Sequence, residues 1–129
     1  MKKLTQISIV FFLLFSLILN GQNDLSQIKN KRVLIVYGGW EWHYPEVFAT
    51  KIASWLEDQK AIVTLSKSTK IYLDEHVMNN VDLIIQHITM SEISELESKA
   101  LQKAIAGGVG LAGCHGGLGD AFRNNTEYQ

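Results

Sequence analysis

The sequence predicts an α/β fold in which helices cover both faces of a mostly parallel sheet, and three observations carry that prediction. Short runs rich in apolar and β-branched residues recur at 32–37 (RVLIVY), 61–65 (AIVTL), 81–87 (VDLIIQH) and 109–113 (VGLAG). Segments with apolar residues at helical spacing lie between them, most clearly at 45–59 and 93–105. Glycine or polar turns punctuate each change of pattern. Strands that alternate with helices in this way become parallel neighbours joined by right-handed crossovers.

The run 32–37 has no polar alternation, the pattern of a strand buried on both faces, and it ends at Gly38 and Gly39. The loop GGWEWHYP follows, and Pro45 suits the first turn of a helix whose apolar positions Phe48, Ile52, Trp55 and Leu56 run to about Gln59. Residues 61–65 form the second strand, and LDEHVMNN (73–80) a short helix before the third strand at 81–87. Thr89 and Glu92 have the spacing of a capping box, so the next helix is expected to begin there. Ile93, Leu96, Ala100, Leu101, Ala104 and Ile105 line its buried face, and Gly107 and Gly108 stop it. Residues 109–113 form the fourth strand. The expected order is 2-1-3-4, a flavodoxin-like three-layer sandwich whose ligands bind beyond the carboxyl ends of the strands, at the switch point between strands 1 and 3. The loops of interest are therefore 38–45, 87–91 and 114–120.

The fourth strand is as apolar as an interior one, yet only fifteen residues follow Cys114, too few for another helix and a paired strand. An open parallel edge invites pairing. We expect a sheet truncated at this point, its edge covered by a missing C-terminal half or by a second copy of the chain.

The first 22 residues read as a signal peptide, with Lys2 and Lys3, an apolar run over 7–19 and a polar break at Asn20, Gly21 and Gln22. Residues 23–31 are a polar linker, and 32–129 the α/β domain. The apolar run is short of the about 20 residues that a spanning helix needs, so export without stable membrane association is expected. Loss of Lys2 and Lys3 takes the formal net charge from −1 to about −3, which excludes an electrostatic footprint for nucleic acid. Cys114 is the single cysteine, so no internal disulfide forms.

The stretch AGGVGLAGCHGGLGD (106–120) concentrates the chemistry. A strand-turn-helix elbow of pattern Gly-x-Nu-x-Gly needs small residues around its apex, and here Gly113 and Gly117 frame His115. Cys114 falls one position early and is expected to pack as a small hydrophobe. His43 follows the first strand, His87 ends the third and His115 follows the fourth, so all three reach one rim. They are suited to acid/base work near neutral pH. A histidine trio can also ligate a divalent metal, but no spacing such as His-Glu-x-x-His supports one, and neither a metal nor a cofactor is assigned. His76, in the short helix, reads as a solvated surface residue. Trp40, Trp42 and Tyr44 alternate with Glu41 and His43, a pattern that offers flat faces and polar partners to a sugar ring, or equally a lid on the end of the sheet. Asp120 and Glu127 add carboxylates, and the backbone of Gly116 and Gly117 can face a bound oxygen. The glycines match neither a phosphate loop nor a dinucleotide fingerprint.

VLIVYGGWEWHYPE together with GGVGLAGCHGGLGDAFRNNTEYQ resembles the ThuA-like (trehalose utilisation) family, of the class I glutamine amidotransferase-like superfamily. The likeness is strongest at Gly113-Cys114-His115-Gly116-Gly117, followed by Asp120, Phe122 and Asn-Thr-Glu-Tyr, and it covers residues 32–129. It implies that histidine occupies the elbow position of a cysteine nucleophile, so glutamine hydrolysis is lost. It also implies a part in sugar or glycoside utilisation. We expect an enzyme of hydrolase or isomerase type; His43, His87 and His115 are its site candidates by position, and His115 with Asp120 lies in the strongest motif match. The alternatives are a non-catalytic carbohydrate-binding module and, despite the register, a cysteine-dependent amidotransferase.

Overall fold

The computed structural model describes residues 25–129, so the expected signal peptide lies outside the described residues. Within the segment read as a linker, Leu25–Ile28 forms a 3₁₀ turn, and Ile28 packs against the core.

The hydrophobic run of strand β1 (Arg32–Gly39) becomes the spine of the molecule because both its faces find apolar partners. On one face Val33, Ile35 and Tyr37 meet Ala49, Ala53 and Leu56 of helix α1 (Pro45–Asp58). On the other, Leu34 and Val36 pack with Tyr72, Ile84, Ile88, Leu101 and Phe122. β1 pairs in parallel with β2 (Ile62–Ser66) on one side and β3 (Leu83–Thr89) on the other, and β3 pairs in parallel with β4 (Gly110–Gly113). The resulting order β2-β1-β3-β4 is the flavodoxin-like arrangement that the alternating pattern predicts. Among the described residues, no helix is long and apolar enough to cross a membrane.

Several boundaries differ from the expected ones, each for a physical reason. β1 runs two residues further, to Gly39, and β3 begins at Leu83 and runs to Thr89, because pairing continues through Gly38↔Ile88 and Gly39↔Thr89. Thr89 is therefore a strand residue and caps no helix. The capping box is Ser94 with Glu97: the Ser94 hydroxyl accepts from the Glu97 amide at 3.3 Å and the Glu97 carboxylate from the Ser94 amide at 2.9 Å, which opens the long helix at Glu95. The expected helix at 73–80 divides into a 3₁₀ turn, Thr69–Leu73, and helix α2 (Glu75–Met78), because Asp74 breaks the run and caps the second piece through Val77 N–H. Helix α3 (Glu95–Ala106) then leads to β4, which is not the buried strand its composition suggests. Gly110, Ala112 and Gly113 are exposed and Leu111 is half-buried, because among the described residues only β3 flanks it.

The chain after β4 turns back over the end of β3. Helix α4 (Gly116–Gly119) is followed by a segment whose carbonyls at Asp120 and Ala121 accept from Met90 and Ser91 N–H. Asn124 clasps the backbone of Ile93 through both its amide atoms. Phe122 is fully buried and meets Tyr128 edge-on at 4.9 Å. This one ring belongs to the second core layer, with Ile84 and Ile88 of β3 and Leu101 of α3. We expect Phe122→Ala to lower the unfolding free energy by about 3–5 kcal/mol in urea titrations, as for a large buried aromatic. A loss below about 1 kcal/mol would show that the tail does not seal this core.

Candidate functional site

β4 delivers the chain to the elbow through two glycines for which the backbone leaves no alternative. A β-carbon at Gly113 would lie 2.6 Å from the Gln86 carbonyl oxygen, and one at Gly117 would lie 2.6 Å from His87 Nδ1. Between them His115 takes φ 49° and ψ −138°, a region that non-glycine residues rarely enter and that costs about 1–3 kcal/mol. His115 therefore occupies the strained apex, exposed at the carboxyl end of the sheet, and its carbonyl accepts from Leu118 and Gly119 N–H in the turn that follows. Cys114 precedes the apex. It is an exposed free thiol, not the packed side chain its position suggested; among the described residues β4 pairs with β3 alone, which leaves this side uncovered.

The three histidines of the rim do come together. His43 ends the 3₁₀ turn Glu41–His43, which Tyr44 closes with a left-handed backbone (φ 47°) before Pro45 starts α1. Its ring centre lies 5.7 Å from that of His115 and 6.3 Å from that of His87. Its Nδ1 is 2.9 Å from the Thr89 hydroxyl. His87 sits behind the other two, 8% exposed and stacked on Phe48 at 4.0 Å with 17° between the planes. A long contact of 3.4 Å joins its Nε2 to the His43 carbonyl, and a carbonyl can only accept, so Nε2 carries the proton. Nδ1 is then a lone pair, buried against Gly117 with no partner among the described residues. Burial pushes the His87 pKa below the usual histidine value; the contact with the His43 carbonyl opposes that shift, and the neighbouring His43 ring adds to it.

The remaining predicted residues fall around this centre. Trp40 meets His43 edge-on at 4.7 Å, and its amide donates to the Thr89 carbonyl at 2.9 Å. Trp42 and Tyr44 stand out from the rim, 73% and 64% exposed, and Glu41 is exposed beside them. Gly116 lies over His43 and Thr89, where a β-carbon would be 3.3 Å from His43 Cε1. Asp120 is held by Arg123 through two hydrogen bonds, which keep its carboxyl below the ordinary carboxylate range, with a smaller contribution from the nearby His115. Glu127 and His76 are exposed. Sequence reasoning missed Thr89, Phe48 and Arg123. No motif points Thr89 or Phe48 to the site, and their roles come from contacts made 46 residues away, with His43, and between helix and strand. Arg123 could have been found, since Asp120 lies three positions before it.

A cavity of about 990 Å³ opens at the opposite, amino end of the strands, near Met78, Val81 and the Lys31–Asp82 ion pair. The histidines, the exposed aromatic side chains and the strained turn all converge at the carboxyl rim, so the rim is the candidate site. Among the described residues, no group of three or more histidine, cysteine, aspartate or glutamate side chains is placed to hold a metal ion.

Fold and turn together define a flavodoxin-like α/β domain with a histidine at the apex of its last strand-to-helix elbow. The chain belongs to the ThuA family, described as trehalose utilisation, whose model matches residues 32–129. No curated protein and no solved structure was found to match the chain.

Glycine adopts the His115 backbone without strain, so His115→Gly is expected to raise stability by roughly 1 kcal/mol in urea unfolding. A clear loss of stability would contradict the strained apex. His87, neutral in the fold, must take up a proton on unfolding in acid. Its contribution is fully present above about pH 6.5 and is lost as pH falls through the lowered native pKa. His87→Gln should flatten the decline of the urea midpoint between pH 7 and 5, whereas an unchanged slope would assign that decline to other groups.

Proposed function

We infer that this chain is an exported carbohydrate-utilisation protein whose carboxyl rim binds a sugar or an oxidised sugar. His115 serves as the acid/base group, His43 faces the same ligand, and His87 supports the turn behind them. The observation that carries this reading is the position of His115, held at a strained apex with its ring 5.7 Å from that of His43. Strain of that kind persists where the surrounding structure enforces it, as Gly113 and Gly117 do here, and it is characteristic of working turns. An imidazole nitrogen can both accept and donate a proton, so His115 can take a proton from a sugar hydroxyl and return it to a leaving oxygen, in hydrolase or isomerase chemistry. Trp40, Trp42 and Tyr44 supply flat apolar faces beside the two histidines, and the family's description points to sugar use. Export rests on the N-terminal pattern of Lys2, Lys3 and the apolar run at 7–19. A cysteine-dependent amidotransferase has less support, because Cys114 precedes the apex.

The exposure of Trp42 and Tyr44 favours a second reading, a non-catalytic carbohydrate-binding module. Turnover and calorimetry of the full chain with a panel of glycans and oxidised glycosides separate the two. The enzymatic reading expects His115→Ala to reduce turnover by about 10²–10⁴-fold with binding retained. Binding without conversion, abolished by Trp42→Ala and untouched by His115→Ala, would establish the module instead.

A further inference from the structure

We propose that Thr89 is a positioning residue whose buried hydroxyl donates to His43 Nδ1 and holds His43 as the neutral Nε2–H tautomer, so that Nε2 presents a hydrogen-bond donor at the rim. Thr89 ends β3 and is 2% exposed. Its hydroxyl oxygen lies 2.9 Å from His43 Nδ1 and has no other hydrogen-bond partner among the described residues. A threonine hydroxyl carries one hydrogen, and a buried donor without an acceptor is costly. If Nδ1 donated, the hydroxyl would accept and its own hydrogen would be left unpaired. If the hydroxyl donates, that hydrogen is satisfied and the imidazole proton must reside on Nε2.

The surroundings enforce this pairing. Gly116 closes over it so tightly that a β-carbon there would lie 3.0 Å from Thr89 Cγ2 and 3.3 Å from His43 Cε1. The Thr89 carbonyl meanwhile accepts from the Trp40 amide, and the His43 amide donates to the Trp40 carbonyl at 3.1 Å, so one strand-end residue anchors the loop through both backbone and side chain. His87 supports the same loop from behind through the His43 carbonyl. His43 Nε2 has no protein partner among the described residues, and the ring is only half-buried. Two histidines 5.7 Å apart thereby take different work: His115 moves the proton, and His43, as a neutral donor, stabilises negative charge growing on a ligand oxygen. The fitting ligand group is a carbonyl oxygen, as in an oxidised sugar. That last step rests on the sugar reading above; the tautomer does not.

The test reads the ligand-free full chain labelled with nitrogen-15 histidine, by long-range proton–nitrogen correlation at a pH where the rings are neutral. The His43 signals are identified by their disappearance in His43→Asn. We expect a protonated Nε2 and an unprotonated Nδ1 in the wild type and in Thr89→Ser. In Thr89→Val both nitrogens should move toward the averaged shifts of mixed tautomers. A wild-type His43 protonated on Nδ1, or already mixed, overturns the proposal, and so does a Thr89→Val spectrum that keeps the wild-type pattern. Should Thr89→Val fail to fold, the wild type and Thr89→Ser still decide. Because no sugar is present, a negative result here leaves the carbohydrate reading standing on calorimetry, and absent sugar binding leaves the tautomer standing on the spectrum.

Discussion

The close approach of the elbow to the end of β3 is the contact on which the rim depends. Gly113 lies against the Gln86 backbone, Gly117 against His87, and Gly116 against Thr89 and His43. At none of these three positions is there open space for a side chain, so the turn and the strand end share one surface. That shared surface is why His115 bends into a costly backbone conformation: the chain leaves β4 pressed on β3 and must enter α4 pressed on it again. It also explains the desolvation of His87, which the turn covers.

The far side of the same turn is held by a buried polar chain. The Tyr72 hydroxyl donates to Gln86 Oε1, Gln86 Nε2 donates to the Tyr128 hydroxyl, and that hydroxyl donates to the Leu118 carbonyl in α4. Each group in this series has a partner, which is the condition under which polar atoms in a core rigidify it instead of weakening it. Burial raises the pKa of both tyrosines, so the chain of donors keeps one protonation state across the ordinary pH range. Gln86 and His87, neighbours on β3, thus point to opposite faces and brace the elbow from both. Phe122 and the Asn124–Ile93 clasp complete the support from the returning tail.

Much of this was legible in the sequence because it follows from local rules. The apolar run of β1 and the alternation of strands and helices define the sheet, and parallel strands necessarily bring residues at or just past their carboxyl ends, His43, His87 and His115, to one rim. The Gly-x-His-x-Gly frame located the apex for a steric reason that the β-carbon distances at Gly113 and Gly117 now supply. What was not legible depends on contacts between distant segments. Thr89-x-x-Glu92 and Ser94-x-x-Glu97 are both capping boxes by spacing, and only the pairing of Thr89 with Gly39 removes the first. Cys114 reads as packed from its place one position before the apex but is exposed. The Thr89–His43 bond and the Phe48–His87 stack leave no trace in local composition.

The histidine site requires that the elbow dock against both His43 and His87. Proton–proton nuclear Overhauser measurements on the full chain test this directly. Strong effects are expected between the His43 ring and the Gly116 α-protons, and between the His87 ring and the Gly117 α-protons, since β-carbons there would lie within 3.3 Å of those rings. Absence of both, with the Cys114 β-protons close to the His43 ring instead, would put cysteine at the apex and contradict the histidine site.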